Sequence, residues 1–154
     1  LQQFFRLEAS GGLVLLGAAP SWDLAPEIAH LSAITSGKAR REFDRSGYGP
    51  DTDRSVYQAA FAEWVKTDPR ATLGARRAQA AWSLTTGPLT PTLIVVGEHE
   101  EPARRAAAEA LAERLPQAQV EVLAGAGRRG VIEQPAALAA LVTSFVAGLE
   151  GGRA

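Results

Sequence analysis

The chain has 154 residues, 16 Lys+Arg against 17 Asp+Glu, and 46% hydrophobic residues. That size and balance suit one domain with its own core and argue against two complete domains. The near-even charge disfavours electrostatic capture of nucleic acid or an anionic membrane, Cys 0 excludes disulfides and thiolate chemistry, and His 2 is too few for a multi-histidine metal centre.

In chain order, Leu1–Ala9 reads as the end of a helix, broken by Gly11 and Gly12. Leu13–Leu16 is a continuous apolar run between glycines, the pattern of a strand buried on both faces. From Ser21 to about Leu84 the pattern is helical. Pro26 suits a first helical turn, and Ile28, Leu31 and Ile34 recur at helical spacing until Ser36-Gly37. Lys38–Arg45 is a charged, exposed segment, and Ser46–Pro50 is a loop by composition. Val56, Tyr57, Ala60, Phe61, Trp64 and Val65 form one helical stripe, with Asp53 as its N-cap and Asp68-Pro69 as its stop. Another helix is expected from about Ala71 to Trp82, before a Thr85–Pro88 turn.

Leu93–Val96 is the strongest strand signal and ends at Gly97. Glu101-Pro102 then opens a helix with Ala106, Ala110, Leu111 and Leu115 on its apolar side, ended by Pro116. Val120, Val122 and Leu123 give a third strand, interrupted by Glu121 and so nearer a sheet edge. A last helix, Pro135–Leu149, carries Leu138, Leu141, Val142 and Phe145, and Gly151-Gly152 releases a tail. Strands separated by helices imply a parallel sheet with right-handed crossovers. No apolar run approaches the roughly 20 residues of a membrane span. With no basic-then-apolar export signal, a soluble cytoplasmic protein without a cofactor is expected.

The segments GLVLLGAAPS, LTPTLIVVGEHE and QVEVLAGAGRRGVIEQPAALAALVTSFVAGL, separated by a helical insertion, together resemble the C-terminal half of the α/β-hydrolase fold. The resemblance implies a partial α/β-hydrolase fold of about three parallel strands with flanking helices. Residues 1–20 and 85–154 would form the core and 21–84 a helical cap or lid. It further implies a site of esterase, lipase or epoxide-hydrolase type for a small, largely apolar substrate.

Such sites use a serine, a histidine that takes its proton, and a carboxylate that orients the histidine. The acid position falls on Glu100. The histidine position, after Gly-Ala-Gly, falls on Arg128, whose guanidinium stays protonated and cannot serve as a general base near neutral pH. No G-x-S-x-G elbow occurs in the chain, and the resemblance places it upstream of Leu1. The chain alone is therefore expected to be inactive. The alternative is a noncatalytic remnant that binds a ligand or partner. Unpaired sheet edges suggest a homodimer or a separate N-terminal chain.

Other residues compete for roles. Trp22, Tyr57, Phe61 and Trp64, with Trp82, are candidates for lining an apolar substrate pocket, although the helical spacing of Tyr57, Phe61 and Trp64 favours packing. His30 reads as a packing or surface residue. Glu98, His99, Glu100 and Glu101 cluster at one strand exit, yet adjacent residues do not all reach one metal ion without an unusual loop. An exposed Glu100 paired with Arg128 is the structural alternative to an acid role. Asp23 is a fallback acid, Arg128-Arg129 a candidate anion site, and Ser21, Ser36, Ser46, Ser83 and Ser144 lack any visible base.

Overall fold

The computed structural model describes residues 11–84 and 89–151. The helix end expected at Leu1–Ala9, the Thr85–Pro88 turn and the tail from Gly152 lie outside them. Strands β1 (Leu13–Leu16), β2 (Thr92–Gly97) and β3 (Ala118–Leu123) form a parallel sheet in the order β1-β2-β3. Leu13 pairs with Thr92, and Thr92 in turn with Ala118.

Every residue of the central strand β2 is buried. Its alternation builds a core on each face of the sheet. Ile94 and Val96 pack with Ala108, Leu111 and Leu115 on one side. Leu93 and Val95 pack with Leu123 and Ala126 on the other, joined by Leu138, Leu141 and Phe145. Each fully buried Leu, Ile or Val contributes about 1.5–3 kcal/mol, so this short strand anchors the domain.

Among the described residues β3 lies at an edge of the sheet, as its interrupted pattern suggests. β1 differs from the expectation of burial on both faces. It is half-buried, and Leu16 is 47% exposed, because β1 has a neighbouring strand on one side only among the described residues.

Among the described residues four helices separate β1 from β2: α1 (Ala25–Ala33), α2 (Gly37–Arg45), α3 (Arg54–Trp64) and α4 (Pro69–Ala81). The segment leaves and returns at one place, where Leu84 N–H donates to Pro20 O at 2.7 Å and Ser21 bridges Ser83. Asp53 caps α3 by accepting from Ser55 N at 2.7 Å. Asp68-Pro69 starts a helix rather than only stopping one: Asp68 accepts from Arg70 N at 2.8 Å, and Pro69 occupies the first turn, where its missing N–H costs nothing. The charged segment α2 is also not uniformly exposed, because Asp44 is buried.

After β2 come α5 (Pro102–Ala112), then β3, the short α6 (Gly130–Glu133) and α7 (Pro135–Gly151). On α5 the core residue is Ala108, and Ala106 is exposed. Leu111 and Leu115 are buried as expected, so the helix keeps its face and only Ala106 gives way to Ala108, which lies three residues before Leu111 on that face. None of the described helices is long and apolar enough to cross a membrane.

Candidate functional site at the strand exits

The carboxyl ends of β2 and β3 come together, as neighbouring parallel strands require. Glu98 N–H donates to Leu123 O at 3.0 Å and His99 N–H to Ala126 O at 2.9 Å, which ties the loop after β2 to the loop after β3. Gly97 has no room for a side chain, since an added Cβ would lie 2.5 Å from Ala126 O. The Glu98 carboxylate accepts from Gly125 N at 2.8 Å.

Glu100 and Arg128 both belong to this junction. Glu100 is 7% exposed, against the alternative of an exposed loop carboxylate. Burial pushes its pKa up, and the opposing pull comes from Arg104, Arg128 and the Glu101 N–H. Arg104 Nε is 3.9 Å from Glu100 Oε1, and the Glu100–Arg128 salt bridge of the structural alternative does not form. Arg128 Nη1 instead faces Glu27 Oε2 at 3.6 Å. Burial and the nearby Arg104 lower the Arg128 pKa, while Glu27, Glu100 and Glu101 oppose the shift.

Glu27, on α1, is the centre of the arrangement. Besides Arg128 it meets Arg104 Nη2 at 2.6 Å and Arg76 Nε at 2.9 Å. The Trp22 ring lies beneath the Arg104 guanidinium at 5.0 Å. Sequence reasoning missed Glu27, Arg76 and Arg104. The available signal was weak: a glutamate in a helix's first turn ordinarily reads as favourable to the helix dipole.

A second junction holds the loop containing Arg128 against the loop after α2. Glu133 accepts from Gly49 N and Thr52 Oγ1, each at 2.6 Å, and from Gly127 N at 3.0 Å and Arg129 N at 3.1 Å. Arg128 N–H donates to Gly47 O at 2.9 Å. Arg129 pairs with Asp44 and lies 5.0 Å from the Tyr48 ring centre. Its charge is thus used internally, unlike a solvated loop arginine. Burial raises the Asp44 pKa, against the pull of Arg129 and Arg128.

Among the described residues the aromatic candidates do not converge on one cavity. Trp64 lines a space of about 320 Å³ with Leu31, Ile34, Arg40, Val65 and Leu73. Tyr57 and Phe61 line another of about 360 Å³ with Arg41 and Asp44. Trp22 belongs to the arginine cluster, and Trp82 is 51% exposed. His30 stacks on Phe43 at 5.3 Å, and His99 is exposed. Among the described residues, no group of three His, Asp or Glu side chains is placed to hold a metal.

No protein-family model and no curated protein matches the sequence. Solved structures do. Est816, an N-acyl homoserine lactone degrading enzyme, superposes with TM-score 0.75 at 18% identity over 94% of this chain and 61% of its own. The esterase EaEST from Exiguobacterium antarcticum gives TM-score 0.72 at 16% identity, over 94% of this chain and 61% of its own. Rv0554 from Mycobacterium tuberculosis gives 0.67 at 19% identity, over 95% and 60%. The chain thus spans about three fifths of the length of the structures it matches.

Proposed function

We propose that this chain, whose fold is a partial α/β-hydrolase fold, supplies the lid, acid loop and histidine-position loop of an esterase-type site without being a catalyst on its own. Residues 21–84 act as the lid over the core formed by 1–20 and 85–154. Glu100 holds the acid position. The substrate is small and largely apolar, the class that the resemblance to esterases and lipases implies. The observation that carries the reading is Arg128: at the position where a proton acceptor is needed stands a guanidinium, which offers only donors and faces Glu27.

A serine nucleophile would have to come from a separate chain or from sequence outside these residues. Purified chain and an Arg128→His variant, assayed with p-nitrophenyl acetate, should both lack turnover sensitive to a serine-directed inhibitor. Such turnover by the unmodified chain would overturn the proposal.

A noncatalytic, partner-binding role is favoured by one feature, the outer edge of β1. It carries no strand beside it among the described residues and leaves Leu16 exposed. A homodimer or a separate N-terminal chain would cover it. Light scattering after size exclusion should show self-association of the isolated chain. A monomer at high concentration would remove the homodimer and leave the separate chain.

A further inference from the structure

The charges at the strand exits are unevenly matched. One carboxylate, Glu27, faces three guanidiniums, those of Arg76, Arg104 and Arg128. The remaining carboxylates stand farther off, with Glu101 at 3.5 Å and Glu100 at 3.9 Å from Arg104 Nε, beyond good hydrogen-bonding distance. The Arg128 side chain donates no hydrogen bond among the described residues, and Arg104 Nε is buried without a hydrogen-bond partner.

A network serving stability alone gains from complete pairing, because each unsatisfied buried polar atom costs free energy. Converging guanidiniums with spare donors are instead the geometry that receives a carboxylate, which has two oxygens and about four acceptor sites. Glu27 reaches them from α1, across 77 residues of sequence from Arg104. The indole of Trp22, against Arg104, supplies an apolar wall beside the charged group.

We propose that Arg76, Arg104 and Arg128 form a binding site for a small carboxylate with an apolar body, and that Glu27 occupies the site as a built-in substitute. An incoming carboxylate displaces Glu27, and α1 shifts with it, so that ligand entry and lid position are coupled. The inference rests on the preceding reading in taking the strand exits as the ligand site, and goes further in naming what the site takes. Equilibrium binding tests it and turnover tests the other, so each can fail alone.

Phenylacetate and its neutral analogue phenylacetamide are titrated into the 154-residue chain, Glu27→Ala and Glu27→Ala/Arg128→Gln. Calorimetry gives affinity, and the arginine Nε–Hε resonances report the place. Glu27→Ala should bind phenylacetate at least about tenfold more tightly than the unmodified chain. Phenylacetamide should show no such gain, and Arg128→Gln should abolish it. The perturbed resonances should be those of Arg76, Arg104 and Arg128. Should Glu27→Ala unfold, phenylacetate should restore its thermal transition where phenylacetamide does not. Equal effects of the two compounds, by affinity or by thermal rescue, would overturn the proposal, as would perturbations confined to other arginines.

Discussion

Glu27 Oε2 lies 3.6 Å from Arg128 Nη1, and the side chains are only 11% and 19% exposed. The pair joins the first helix after β1 to the loop after β3, so the helical segment is held to the sheet by charge at the place where the fold presents chemistry. Removing one partner of such a pair leaves the other desolvated and unmatched.

Glu27→Gln should therefore destabilise the chain by about 3 kcal/mol, since it strands three arginines rather than one. Urea unfolding of the variant and the unmodified chain measures the difference. A change within experimental error would mean that water screens the cluster.

Glu133 makes a second testable hinge point. Its carboxylate accepts from Gly49 N, Thr52 Oγ1, Gly127 N and Arg129 N. An amide has one acceptor oxygen and turns an NH2 toward backbone donors, so Glu133→Gln should cost about 2–3 kcal/mol. Thr52→Val, which removes one donor, should cost about 1 kcal/mol. Hydrogen exchange should accelerate at Gly49, Gly127 and Arg129 in Glu133→Gln before it does in β2.

Two glycines should respond oppositely to alanine. At Gly127 an added Cβ would lie 2.7 Å from Tyr48 C and 2.8 Å from both Gly47 O and Gly49 N. These are backbone atoms that cannot yield without opening the junction, so Gly127→Ala should lose at least about 2 kcal/mol. At Gly74, within α4, nothing lies within 4 Å of an added Cβ. Gly74→Ala should gain about 0.5–1 kcal/mol from helix propensity and a less flexible unfolded chain. Thermal melts of both variants check the sign.

Glu100 gives a pH prediction. Burial raises its folded pKa above the ordinary glutamate value of 4.5. The folded state thus binds the proton more tightly than the unfolded state. The stability that the protonated group allows is fully present below 4.5 and is lost as pH rises through the raised folded value. Glu100→Gln, which cannot ionise, should gain stability relative to the unmodified chain as pH goes from about 4 to 7. Urea midpoints at intervals across that range test it. A gap that narrows with rising pH would show that Arg104 and Arg128 outweigh desolvation.

Much of the architecture was legible because it is written in local patterns. LVLL and LIVV are continuous apolar runs, and Asp53 and Asp68 stand where helix caps belong. Pro69 was misread as a terminator alone, since a proline after a capping aspartate both prevents one helix from continuing and begins another. The misplacement of Ala106 for Ala108 has a different origin: on an alanine-rich helix the apolar face has little contrast, and only packing against Ile94 and Val96 selects it.

The sequence by itself determined the strands, their parallel order, the helical segment between β1 and β2, and the position of Glu100 and Arg128 at neighbouring strand exits, because apolar runs and glycine turns act over a few residues. Tertiary structure alone decided what those two side chains meet. Glu27 is 77 positions from Arg104, and Glu133 is 84 from Gly49. No local pattern encodes such partners, since a charged side chain on a helix reads the same whether water or an arginine surrounds it. The fold excludes the water, and in doing so makes Glu27 the partner of Arg128.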